Sequence, residues 1–261
     1  MINYNSFIYL LLIMSFTSCK QIEIENLNSE EISVVISSEF NFLPTSTSGK
    51  IYSHDAYCFS YIEVHEQSEW VAYELNDVDF SNNNNYTRPF FNQDPLVETQ
   101  SADWRNYKKS GYNKGHLCPA GDRKKSYDLY KETFFTSNAS PQLYKFNAGV
   151  WNRLEQKTRY WATKNNGIYV ITGGVLSDGL KTIGSENVSV PDYFYKILLT
   201  KDGKKMIGFL IPHKESKKGL YEFSVSVDSI EKITGIDFFP ELDDVIENNL
   251  EKNANYNQWS F

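Results

Sequence analysis

Hydrophobic positions fall into two periods along this chain. Trp70-Val71-Ala72-Tyr73-Glu74-Leu75 is a short, nearly continuous apolar run rich in aromatic and β-branched residues, which predicts a strand. Gly167-Ile168-Tyr169-Val170-Ile171-Thr172-Gly173 predicts a buried strand closed by glycine. Tyr193 to Thr200 and Lys205 to Ile211 predict a strand pair around the turn Lys201-Asp202-Gly203, and Phe223 to Val227 a further short strand. Helical spacing of Val150, Trp151, Leu154 and Thr158 predicts a helix over residues 143–161, and a second short helix runs from Ser229 to Thr234 and ends at Gly235. Strands and helices mix without regular βαβ alternation and without internal repeats. The expected fold class is therefore α+β, with a mainly antiparallel central sheet flanked by helices.

The first 48 residues read differently. Phe7 to Met14 is an unbroken apolar run followed by Ser15-Phe16-Thr17-Ser18-Cys19. The run is far shorter than the ~20 residues that span a bilayer, yet it suits a secretory signal. Small residues just before a cysteine resemble a bacterial lipoprotein signal, in which Cys19 becomes the lipidated first residue. No Lys or Arg precedes Phe7, which departs from that pattern and leaves simple cleavage open. Residues 1–19 are thus expected to be a signal peptide, residues 20–48 a polar linker and residues 49–261 the folded domain. An exported protein is expected, either a cell-envelope lipoprotein held to the membrane at Cys19 or a secreted one.

Composition adjusts this picture in two ways. Aromatic residues are abundant in the 261-residue chain, with 18 Tyr, 17 Phe and 5 Trp, which favours a strand-rich core. The net charge of −7 argues against an all-over electrostatic grip on nucleic acid. Between Arg105 and Lys125, however, seven cations face the single acid Asp122, so a local basic strip is expected. Cys58 and Cys118 are left beside Cys19; they form one disulfide or stay as two small packed side chains. No Cys-x-x-Cys pair occurs, and His54, His65 and His213 have no ligand spacing with His116, which disfavours zinc.

Chemistry concentrates between Gly111 and Arg159. His116, in Gly-Tyr-Asn-Lys-Gly-His, is the natural general base for hydrolysis, because histidine takes a proton from water near neutral pH. Lys114 offers a cation to a phosphate, and Gly115 allows close backbone approach. Asn138 lies in the turn-like Ser-Asn-Ala-Ser-Pro-Gln, and Asn147 follows nine residues later. A neutral oxygen donor suits a hard cation such as Mg²⁺, which keeps several waters. Glu155, two helical turns beyond Asn147, can hold such waters, while Glu155 and Arg159 at i, i+4 also read as an ordinary helix ion pair.

Taken together, these residues resemble the sugar-non-specific DNA/RNA endonuclease family, the ββα-metal or His-Me finger nucleases that include endonuclease G. Asn113-Lys114-Gly115-His116 is similar to the family's hallmark Asp-Arg-Gly-His, and Asn138 through Gln142 to its Asn-x-x-Pro-Gln. Asn147, Trp151, Leu154-Glu155 and Arg159 resemble its metal-ligand helix, and Thr87-Arg88 before Asp94-Pro95 its upstream arginine segment. The resemblance spans roughly residues 50–250. It implies a ββα-metal active-site unit with His116 as general base, Asn147 as the direct ligand of Mg²⁺ or of Mn²⁺ or another divalent cation, and Asn138 as an orienting group. It further implies Glu155 as holder of metal water, Arg88 and Arg159 as phosphate contacts, DNA or RNA as substrate, and products with 5′-phosphates.

Two positions depart from the hallmark. Asn113 replaces the aspartate with a neutral carboxamide, and Lys114 keeps the arginine's charge without its planar fork. The expectation is an active endonuclease. The alternative is a catalytically weakened nucleic-acid-binding surface protein on the same fold.

Overall fold

The computed structural model describes residues 40–48, 50–82 and 84–261. The expected signal peptide, Cys19 and most of the expected linker lie outside them. The chain begins with β1 (Ile51–Ser53), β2 (Cys58–Ile62) and β3 (Gln67–Leu75), then the short helix α1 (Asp77–Phe80) and strand β4 (Asn113–His116). Helix α2 (Tyr127–Glu132), strand β5 (Ala139–Gln142) and helices α3 (Tyr144–Phe146) and α4 (Asn152–Lys164) follow. The second half contains β6 (Ile168–Gly174), β7 (Thr182–Ile183), β8 (Val188–Ser189), β9 (Tyr193–Thr200), β10 (Met206–Pro212) and β11 (Ser224–Val225), then α5 (Val227–Thr234) and α6 (Asp244–Glu251).

One antiparallel sheet of seven strands organises the domain, in the order β1-β2-β3-β6-β9-β10-β11. Its central strands are buried at nearly every position because both faces are covered. On one face Val71, Tyr73, Val170, Leu198 and Phe209 pack with Trp151, Leu154 and Trp161 around α4. On the other, Ala72, Ile171, Ile197 and Leu199 pack with Val227 and Ile230 of α5 and with Phe238 and Phe239. The two sets alternate residue by residue, as the period of a strand requires. The expected α+β class and antiparallel sheet are therefore present.

Three expectations change. Residues 40–48 belong to the fold rather than to a linker: the Phe42 ring stacks on Tyr169 at 4.7 Å, and the Trp70 indole N–H donates to the Thr45 carbonyl at 2.9 Å. The Thr47 N–H also donates to the Glu69 carboxylate at 3.0 Å. The strand expected over 223–227 shortens to Ser224–Val225, because the Ser226 side chain accepts from the Ser229 N–H and caps α5. The helix expected over 143–161 is interrupted by a wide π-type turn at Asn147–Trp151, with Gly149 at non-helical φ −99° and ψ −109°.

Candidate active site

Strands β4 and β5 pair antiparallel outside the large sheet, with Lys114 opposite Pro141, Gly115 opposite Ser140 and His116 opposite Ala139. The pairing is tight. A Cβ on Gly115 would sit 2.1 Å from the Gln142 side chain, so this position needs glycine for close approach. With the helical segment after β5, the two strands make a ββα unit. His116 lies at the end of its first strand and Asn147 at the start of its interrupted helix.

Asn138 is fully buried, and its carboxamide is consumed by backbone. The Cys118 N–H donates to Oδ1 at 2.8 Å, while Nδ2 donates to the carbonyls of Cys118 and Thr133, both at 2.9 Å. Its role is to orient the segment after His116; it has no side-chain atom left for a substrate. Cys118 is buried and Cys58 half-buried, and both are free thiols, so the packing alternative holds over the disulfide.

His116 is held by rings rather than by hydrogen bonds. Phe91 lies 5.1 Å and Phe134 5.0 Å from it, centroid to centroid, the latter edge-on. Among the described residues neither of its ring nitrogens has a hydrogen-bond partner, and Nε2 is buried. The other three histidines are all engaged. His54 pairs with Asp94 at 2.8 Å and His65 with Ser189 at 2.9 Å. His213 accepts from the Leu143 N–H while its Nδ1 faces the Pro191 carbonyl, both at 2.8 Å. Burial, helped by the Arg88 charge, lowers the His116 pKa to about 3, so the imidazole is neutral at neutral pH.

Arg88 and Lys114 flank the same two rings. The Arg88 guanidinium lies 5.5 Å from the Phe134 centroid, and Lys114 Nζ lies 5.5 Å from that of Phe91, with Tyr107 and Trp104 at 5.6 and 5.9 Å. Neither cation has an ion-pair partner among the described residues. Burial and the Arg88 charge lower the Lys114 pKa. The basic strip expected over 105–125 is not one surface. Arg105 pairs with Asp103 at 2.6 Å, and Arg123 is buried, donating to the carbonyls of Ala56, Asp122 and Glu74.

On the helical side, the Asn147 carboxamide and Glu155 carboxylate are half-buried and make no hydrogen bond among the described residues. Arg159, expected at a phosphate, donates to Asp122 at 2.6 Å, and Tyr73 Oη donates to the other oxygen of that buried carboxylate at 2.9 Å. Its partner is thus Asp122, not Glu155. Burial raises the Glu155 pKa to about 7, against the attraction of Lys196 and Arg159. Lys196 is fully buried in β9, with Nζ 5.0 Å from the Trp151 centroid and no hydrogen-bond partner; burial lowers its pKa. Asp122, Glu155 and Lys196 all lie close enough to Cys118, two residues after His116, to act on its thiol electrostatically.

The sequence assigns no chemical role to Lys196 or Asp122. The signal for Lys196 is a lone cation in the otherwise apolar run Tyr193–Thr200; the signal for Asp122 is a lone acid among cations. A neutral amide oxygen and a carboxylate, both unpartnered, fit a hard divalent cation that retains waters.

The family model for DNA/RNA non-specific endonucleases matches residues 39–245. The chain is 36% identical over 201 residues to the mitochondrial nuclease EXOG of Danio rerio, covering 70% of this chain and 59% of that protein. It spans 60% of the human EXOG, at 31% identity over 224 residues. Nuclease C1 of Cunninghamella echinulata var. echinulata is 30% identical over 234 residues, with 83% of this chain and 90% of that protein aligned. A chain of the EndoG/EndoGI complex crystal structure superposes with a TM-score of 0.69 at 29% identity, covering 74% of this chain and 86% of that one. With the motif unit, the fold and a match over most of its length in agreement, the chain belongs to the DNA/RNA non-specific endonuclease family.

Proposed function

We propose that the protein is a metal-dependent endonuclease that hydrolyses phosphodiester bonds of DNA, RNA or both. The observation behind this is His116: a neutral imidazole with no hydrogen-bond partner, bracketed by two cations without ion-pair partners, on the same ββα unit as the unpartnered Asn147. His116 takes a proton from water as the water oxygen attacks phosphorus in line; the bond to the 3′ oxygen breaks, and the 5′ side keeps the phosphate. Arg88 and Lys114 draw the phosphate toward His116 and offset its charge. Asn147 with Glu155 would hold a divalent cation such as Mg²⁺, which supplies Lewis-acid neutralisation of the phosphate and the leaving oxygen. Lys196, facing Glu155 from β9, favours the charged carboxylate.

The test is digestion of supercoiled plasmid by the protein with Mg²⁺, with EDTA and as the His116→Ala variant. Nicking that needs both the metal and His116 is expected. Cleavage by His116→Ala near the wild-type rate sinks the assignment. Retention of intact plasmid with Mg²⁺ present would favour the binding-protein alternative, for which the neutral Asn113 is the support.

The apolar run Phe7–Met14 and the small residues before Cys19 support export, with lipidation at Cys19 or simple cleavage. Metabolic labelling with palmitate separates the two. Label that disappears in Cys19→Ala is expected for the anchored form, and its absence in the wild type rejects lipidation.

A further inference from the structure

Beside His116 the surface opens into a groove of about 500 Å³ lined by Arg88, Phe90, Phe91, Trp104 and Lys114. Its apolar walls are unusually open to solvent. Phe90 is 90% exposed and Trp104 37%, whereas Trp70, Trp151, Trp161 and Trp259 are all at most 5% exposed. Leaving a phenyl ring in water forgoes the gain of burying it, so the fold obtains nothing from Phe90 where it stands. Phe91 forms the inner wall and is shared: His116 lies against it at 5.1 Å and Lys114 Nζ at 5.5 Å. The groove is therefore one ring away from the catalytic imidazole. Its charge is positive throughout, because Arg88 and Lys114 face it with no carboxylate between them. The exposed Phe90 ring and Trp104, over whose ring Arg105 also lies at 5.1 Å, stand beside two cations without ion-pair partners and match a planar base carrying a phosphate; a purely apolar segment would leave both cations without a partner.

We propose that this groove is a nucleobase subsite: it takes the unstacked base of a nucleotide adjoining the scissile phosphate, sandwiched by Phe90 and Trp104, while Arg88 and Lys114 hold its phosphate. The proposal rests on the nuclease reading and deepens it. A base in a duplex has both faces covered by its neighbours, so the subsite favours single-stranded nucleic acid, and stacking makes it tolerant of sequence.

The experiment follows tryptophan fluorescence of the full chain in EDTA, where cleavage is stopped, during titration with oligothymidylate and with an abasic strand of equal length. Trp104 is the exposed tryptophan, so its signal dominates any quenching by a bound base. Oligothymidylate is expected to quench and the abasic strand not to, and Phe90→Ala is expected to weaken the base-bearing strand by roughly 5- to 150-fold. Binding of the abasic strand should be the same in both proteins. Equal affinity of the wild type for the two strands, or unchanged oligothymidylate binding in Phe90→Ala, overturns the subsite. A separate plasmid assay with Mg²⁺ keeps the two ideas apart: quenching without any cleavage would leave the subsite standing and reject the nuclease reading.

Discussion

Asn138 and Cys118 are joined by a reciprocal pair of hydrogen bonds, the Cys118 N–H to Oδ1 at 2.8 Å and Nδ2 to the Cys118 carbonyl at 2.9 Å. Through this pair a side chain just before β5 fixes the backbone two residues past His116. Asn138→Ala would strand three buried backbone groups, those two and the Thr133 carbonyl. A loss on the order of 2–4 kcal/mol in urea unfolding is expected. At temperatures where the variant stays folded, kcat should fall at least about tenfold with KM little changed if His116 is the base and Arg88 and Lys114 hold the phosphate. An unaltered kcat in folded protein would remove the orienting role.

Arg159 is expected to matter for stability before it matters for substrate. Its partner Asp122 has a side chain only 1% exposed, so Arg159→Gln leaves a buried carboxylate beside Glu155. The expected cost is on the order of 3 kcal/mol. Adding Asp122→Asn should restore much of it, since Asn still accepts from Tyr73. A full melting-temperature cycle over both positions measures the coupling. Wild-type melting of Arg159→Gln with lost cleavage would instead make Arg159 a phosphate contact.

Glu155 makes no hydrogen bond among the described residues, but its charge offsets that of the buried Lys196, so Glu155→Gln is compared with the wild type at temperatures where both stay folded. If it holds metal-bound water, the Mg²⁺ concentration for half-maximal cleavage should rise by about 10- to 100-fold. Titration of cleavage against Mg²⁺ reads this directly, and an unchanged half-point would exclude the role.

The acid limb of stability should carry the signature of His116. Its folded pKa of about 3 lies below the ordinary 6.5, so the folded state binds fewer protons than the unfolded chain between these values. Stability is therefore complete above pH 6.5 and declines as pH falls, by at most about 1.4 kcal/mol per pH unit from this group. Relative to wild type, His116→Gln should lose less stability between pH 6.5 and 5 in denaturant titrations. Parallel curves would show that the histidine is not desolvated.

Glu251 works in the opposite sense. Burial and the charges of Glu231, Glu247, Asp228 and Asp237 raise its pKa to about 9. The folded state then binds more protons than the unfolded one, and stability falls as pH rises from 4.5 toward 9. Glu251→Gln should stabilise the protein at pH 8 by on the order of 2 kcal/mol and have almost no effect near pH 4.5. Thermal melts at the two pH values check it; equal shifts at both would reject the electrostatic cause.

Local patterning determined much of this protein. The runs around Trp70, Ile168 and Tyr193 form strands because apolar, β-branched and aromatic side chains suit a sheet covered on both faces. Gly235 ends α5 in the left-handed conformation at φ 72°, as a glycine after a helical run signals. The motif from Asn113 to Arg159 points to His116, Asn147 and Glu155 from its residues and spacing alone. Tertiary structure alone decided what each side chain meets. Arg159 could have faced Glu155, a phosphate or Asp122; the packing of α4 over β3, where Tyr73 also reaches Asp122, selected Asp122. Seven cations between Arg105 and Lys125 look alike in the sequence, yet folding buries Arg123 among backbone carbonyls while Lys114 meets three aromatic rings. Burial, ion pairing and pKa depend on neighbours brought together from distant parts of the chain, and spacing along the backbone does not encode them.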